Sequence, residues 1–265
     1  MDVEKHNLAQ IELLNQRGGR ALSIVDLIKD GSITAEMAAF CWLTLQAGES
    51  FITGAVPGGV GKTTLMAALL SFLPPEERIV TVSDRRVIDN AISRPVEPPV
   101  TYLAHEIGSG AWFAYIWGRD ARDFFRLSAG GARCVSCIHA DTPLQSWEAL
   151  SGLGVGEEDF RRISLQLYMV ADRTGRGVRR RVRSLCHFTG GAHRPIYEWD
   201  GADDRFHRLL GRDELCKLAA EKLGATPQMA DRLWRTRQGE LQRWQGEGVS
   251  HIEDVRRRVL RSYAS

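Results

Sequence analysis

The chain lacks long apolar runs: Met37 to Leu43 and Leu65 to Leu73 are the kind of patch it offers, far short of the roughly 18–20 residues that cross a bilayer. No direct membrane insertion is expected, and the chain reads as soluble or peripheral. Cysteine is sparse as well. Cys41, Cys134, Cys137, Cys186 and Cys216 are an odd set of five, and the polar N-terminus has no secretory pattern, so a reduced, cytoplasmic setting is expected. No internal repeat or low-complexity tract occurs. Lysine is scarce too, 5 against 30 arginines, which makes each lysine worth inspecting.

What is present is ordinary for a globular protein: 265 residues, 43% apolar and 26% charged. That length fits one large domain with a small appendage, or two small domains, and argues against disordered, collagenous and disulfide-dense classes. The net charge of +2 conceals an uneven distribution. Residues 1–160 carry −7, residues 161–194 carry +8 and residues 195–265 carry +1.

Residues 1–21 form a polar lead-in ending in Arg17-Gly18-Gly19-Arg20, a flexible-looking run with no core of its own. Two short helical patterns follow at 24–28 and 35–45. A strand-like run at 50–53, a glycine-rich loop, a helix at 63–73 stopped by Pro74-Pro75 and a buried strand at 78–83 make the parallel α/β signature. Further strands are expected at 100–104, 112–117 and 134–139, with a helix at 120–127. An antiparallel meander is expected over 165–171, 178–188 and 194–199, then helices over 212–262 with a turn at Gly246-Glu247-Gly248. The division expected is 1–21, an α/β domain over 22–205 and a helical subdomain over 206–265.

The most informative stretch is Gly54-Ala55-Val56-Pro57-Gly58-Gly59-Val60-Gly61-Lys62-Thr63-Thr64. Glycines let successive backbone N–H groups face one anion, and the following helix turns its positive end toward phosphates. Pro57, Gly58, Gly59, Val60, Gly61, Lys62, Thr63 and Thr64 are thus the candidate nucleotide-binding residues. Lys62 would reach the β and γ phosphates, and the Thr63 hydroxyl would ligate Mg²⁺. ATP and Mg²⁺ are the cofactors implied. The strict pattern asks for glycine where Val56 stands.

The order of motifs resembles the secretion ATPases, the RecA-like motors of type II and type IV secretion, type IV pili and archaella, with the tail most like archaeal members. The run from Ser23 to Met37 is similar to the helix-turn-helix before their phosphate loop, and Pro74 to Val82 to their approach to the second strand. Cys137-Ile138-His139-Ala140-Asp141 is similar to their histidine box, and Leu165 to Phe188 to the arginine-bearing hairpin beyond it. The resemblance implies a RecA-like P-loop fold with a C-terminal helical appendage and ATP hydrolysis. It also implies a homo-oligomer, usually a hexameric ring, on the cytoplasmic face of the membrane, working with a polytopic inner-membrane platform protein.

Departures from that pattern accompany the matches. About twenty polar residues stand where the family carries a globular N-terminal domain. Ser83-Asp84 replaces Glu-Asp at the end of the second strand, leaving Asp84 as a candidate to order water or metal. Val100 to Glu106 is an apolar strand ending in a carboxylate, but it lies about nine residues too far upstream of His139. The run from Ala111 to Ala121 fits the spacing and puts Tyr115 in the glutamate's place. Lys62, Asp84, Glu106 and His139 are the candidate catalytic residues, and the resemblance makes His139 the sensor of the γ-phosphate.

Cys134 and Cys137 point to opposite faces of a strand, so a metal knuckle with His139 is not expected. The basic stretch comprises Arg173, Arg176, Arg179, Arg180, Arg181 and Arg183, and strand alternation puts Arg179, Arg181 and Arg183 on one exposed hairpin face. A subunit-facing or solvated hairpin fits it better than nucleic acid, since no aromatic platform is interleaved; arginines reaching a neighbour's γ-phosphate would be a third use of the same charge. Rival functions are a nucleotide-binding scaffold that scarcely hydrolyses and a nucleic-acid translocase.

Overall fold

The structure, a computed structural model, describes residues 2–15, 18–95, 97, 99–173 and 177–264. Arg17 and Arg176 therefore lie outside the described residues. In chain order the first half holds α1 (Val3–Glu12), α2 (Ile24–Lys29), α3 (Ala35–Gln46), β1 (Phe51–Gly54), α4 (Lys62–Leu70), β2 (Arg78–Thr81), α5 (Arg85–Ser93), β3 (Val100–Leu103), β4 (Glu106–Ile107) and β5 (Tyr115–Ile116). The second half holds α6 (Arg119–Arg126), β6 (Arg133–Ile138), α7 (Pro143–Gly152), α8 (Glu157–Arg161), β7 (Leu165–Asp172), β8 (Arg179–Thr189), β9 (Ala192–Asp200), β10 (Arg205–Arg208), α9 (Arg212–Leu223), α10 (Pro227–Gly246) and α11 (Ile252–Ala264).

One sheet organises the molecule, in the order β10-β9-β8-β7-β1-β6-β3-β2. From β7 to β2 neighbours run parallel, and from β7 to β10 they form an antiparallel meander. Strand β1 is central and buried along its whole length, as a parallel strand covered on both faces must be. Alternate strand residues feed two cores. Phe51, Val135, Cys137 and Leu167 face the layer of α2–α4 and α9–α11, while Ile52, Cys134, Ile138 and Tyr168 face α5–α8. The class is α/β with a mostly parallel sheet and helices over its faces.

Local signals explain most of the helices. Ser23 and Asp26 close a capping box on α2, and Thr34 caps α3 through Met37 N at 3.1 Å. Ten of the twelve residues of α3 are buried, so it is a core helix, apolar on every side. Pro143 and Pro227 open α7 and α10 behind capping Thr142 and Thr226. No helix among the described residues is long and apolar enough to cross a membrane.

Three sequence expectations differ from the structure. The lead-in is no loose run: α1 lies on edge strand β2, where the Asn7 amide donates to Glu77 O (2.8 Å) and accepts from Ile79 N (2.9 Å). That pairing, with Ile11 and Leu14 buried, covers the edge as a further strand would. The strand expected over 112–117 shrinks to Tyr115 and Ile116, and Trp112 before it is 72% exposed. The hairpin arginines are not one exposed face, because Arg181 is buried and bonded to Asp204 at 2.8 and 2.9 Å.

Candidate functional site

Strand β1 delivers the chain into the glycine-rich loop at a point of close approach. A Cβ on Gly54 would meet Ala140 O at 2.5 Å and the Tyr168 ring at 2.6 Å, so only glycine fits there. Gly61, at φ 108°, turns the chain into α4 and supplies no side-chain cap. The first N–H groups of α4 are left for an anion, where the helix dipole favours one. Beneath the loop, the Thr53 hydroxyl donates to Lys62 O at 3.1 Å.

Lys62 is buried and its Nζ donates to Ala55 O at 3.3 Å. Glu106 Oε1 stands 3.8 Å from that ammonium. The same carboxylate meets His139 Nε2, and its Oε2 accepts from the Tyr115 hydroxyl at 3.2 Å. Glu106 and Tyr115, the two alternatives for one position in the sequence, are thus partners, brought together by the β4/β5 register that pairs them. Burial, then the Glu106 charge, pushes the Tyr115 hydroxyl up to about 12, so it remains a donor at working pH. Buried Glu106 Oε1 meets both His139 Nε2 and the Lys62 ammonium, with no hydrogen bond of good geometry from either.

The histidine box holds the loop itself. His139 Nδ1 contacts Val56 O at 3.0 Å, and Val56 N donates to Asp141 Oδ1 at 3.0 Å. Both peptide groups of Val56, the residue that departs from the glycine pattern, are therefore clamped from the end of β6. Cys137 lies 3.2 Å from Thr53 Oγ1 and 3.8 Å from Thr63 Oγ1, with burial pushing its thiol up to about 11. Cys134 sits in the opposite core, and all five cysteines are buried and free.

A cavity of about 820 Å³ opens over the loop. Gly58, Gly59, Gly61, Lys62, Thr63, Thr64, Glu106, Tyr115 and His139 line it, joined by Leu14, Leu22 and Leu27 from the N-terminal region and by Arg180 from β8. Pro57 and Val60 line a smaller adjoining cavity of about 350 Å³ with Gly58, Gly59, Asp141 and Arg183. Asp84 is not brought to the site. It caps α5 through Arg86 N at 2.8 Å, pairs with the Arg86 guanidinium, and is held below the usual carboxylate range mainly by that side chain. The sequence reading did not single out Arg180; period-two alternation against Arg179 and Arg181 is the signal that separates it.

The donor set suits a divalent cation with a phosphate chain: a threonine hydroxyl at the first turn of α4, a buried carboxylate, and a lysine 3.8 Å from that carboxylate.

No protein-family model matches the chain. It is 43% identical over 229 residues to "Uncharacterized protein MJ1287" of Methanocaldococcus jannaschii, covering 75% of this chain and 83% of the relative. The chain belongs to the MJ1287 family. That family's name assigns no activity. A second relative from the same organism, "Uncharacterized protein MJ0900", is 39% identical over 64 residues, 24% of this chain and 11% of its own length. Among solved structures, the chain is similar to the VirB11 ATPase of the Brucella suis type IV secretion system, crystallised with sulphate, at 17% identity and a TM-score of 0.42. The match covers 68% of this chain and 61% of that one, so the chain spans less than two thirds of the solved protein.

Proposed function

We propose that the chain is a P-loop ATPase, a motor subunit of a type II/IV secretion, type IV pilus or archaellum-like machine. The observation that carries the nucleotide reading is the convergence of Lys62, Glu106 and His139 on one cavity at the start of α4. The α4 amides and Lys62 hold the phosphates, Lys62 leaving Ala55 O as it reaches the anion. Thr63 and Glu106 would hold Mg²⁺, which when bound neutralises phosphate charge. Glu106, the buried carboxylate beside Lys62, orients the attacking water. His139, bonded to both Glu106 and the Val56 carbonyl, links the catalytic carboxylate to loop position and so senses the γ-phosphate.

The order of sequence motifs supports the secretion-machine setting: a hexameric ring at the cytoplasmic face of a membrane, with a polytopic platform protein as partner. Residues 22–205 act as the ATPase domain and 206–265 as its helical subdomain. The test is phosphate release by the purified protein with ATP and Mg²⁺. Release well above that of Lys62→Ala is expected, and release equal to that of the variant removes the enzyme reading. Tight ATP binding with the nucleotide uncleaved for hours would instead establish the scaffold reading, which Ser83 in place of glutamate favours.

A further inference from the structure

The β7–β8 hairpin carries its positive charge on two faces, and they differ in what neutralises it. On one face Arg179 pairs with Asp172 at 2.5 Å and with Asp204 at 3.2 Å, and Arg181 holds Asp204 in a two-bonded fork. Asp204 is held far below the usual carboxylate range, chiefly by its hydrogen bond from Arg181. Arg183 donates to Asp141 O. Arg180 points the other way, toward the phosphate loop. A Cβ on Gly61 would lie 3.5 Å from Arg180 Cδ, and the residue lines both cavities that flank the loop. Among the described residues its half-buried guanidinium has no side-chain hydrogen bond or ion pair.

We propose that Arg180 binds a phosphate oxygen of the nucleotide held by the loop of its own chain. An unpaired guanidinium beside unsatisfied helix N–H groups offers two kinds of donor to one anion, while the Asp26 and Glu106 carboxylates that also line the cavity are paired with Arg20 and Lys62. A polyphosphate satisfies both, and arginine matches its oxygens with paired N–H donors. The inference rests on the nucleotide reading above and adds a ligand supplied from the hairpin within one subunit. Arg179 and Arg181 are engaged by Asp172 and Asp204, while Arg173 and Arg183 line the smaller cavity with Arg180 and do not line the larger one that holds Lys62.

Calorimetric titration of Mg·ADP into the purified protein tests it. Arg180→Ala and Arg180→Gln should weaken ADP roughly 10- to 100-fold, the loss expected for one charge-assisted hydrogen-bonded contact. Arg180→Lys should recover part of that, and thermal unfolding of the ligand-free variants should stay close to wild type because no side-chain hydrogen bond or ion pair among the described residues is lost. Mixing assembled Arg180→Ala subunits with Lys62→Ala subunits separates one chain from its neighbour: the mixture should not regain hydrolysis. Unchanged ADP affinity in Arg180→Ala, with wild type binding and Lys62→Ala not binding, overturns this inference alone. Recovery on mixing overturns the same-chain assignment, and absence of binding by wild type overturns the nucleotide reading with it.

Discussion

Two buried cation–carboxylate pairs sit at opposite ends of the same parallel strands, and their surroundings could hardly differ more. At the N-terminal end of β6, Arg133 grips both oxygens of Glu77 at 2.8 and 2.9 Å and donates to Glu49 O and Leu45 O at 2.8 and 2.6 Å. Thr101 completes it with a hydroxyl donated to Glu77 at 2.5 Å. At the C-terminal end, Lys62 stands 3.8 Å from Glu106, with Ala55 O as its hydrogen-bond acceptor. The first pair is saturated and therefore structural. The second lines a cavity, at the strand ends where open α/β sheets bind ligands.

The comparison breaks most readily at Arg133. Arg133→Met leaves Glu77 buried with its main partner gone, and urea unfolding should show a loss of about 3–5 kcal/mol; a loss below about 1 kcal/mol would mean the pair is not structural. Acid is the next lever. Burial holds His105, the neighbour of Glu106, and His193 down at about 4. Unfolded histidine takes up its proton near 6.5, so between about pH 6.5 and 4 the unfolded state binds more protons and stability falls as pH falls. Each contributes up to roughly 3 kcal/mol of that fall at pH 4, and His105→Phe should flatten the profile measured by thermal unfolding.

Glu106→Gln sharpens the functional half. It should keep ATP affinity within a few fold while slowing phosphate release by about 100-fold or more, and an unchanged rate would transfer the role to another group. The smallest effect is expected at Asp84. Asp84→Ala should lower the thermal midpoint only slightly through the lost helix cap and leave hydrolysis alone, whereas a hundredfold slower rate would return Asp84 to the catalytic set.

The loop, the alternating strands and helices around it, the meander and the helical tail were legible because their signals are local: glycine and proline positions, periodicity and caps. What was illegible depended on partners distant in sequence. Nothing near Asn7 announces that its amide will cover β2 seventy residues later. The spacing argument set Glu106 against Tyr115, but a two-residue strand pairing makes them neighbours. Alternation correctly separated Arg179 and Arg181 from Arg180. It gave all of that face to solvent, whereas Asp204, arriving from the turn before β10, pairs with Arg179 and Arg181, the latter buried.

Thermal unfolding of wild type and Lys62→Ala, each with and without saturating Mg·ATP, tests the contrast between the two ends most directly. At about 100 times the dissociation constant a ligand adds about 2.7 kcal/mol, so the wild-type midpoint should rise by several degrees. Ligand-free Lys62→Ala should lose less stability than Arg133→Met, because Tyr115 and His139 still meet the Glu106 carboxylate, and should show no rise. A wild-type midpoint indifferent to Mg·ATP, or a Lys62→Ala protein as destabilised as Arg133→Met, would contradict the account.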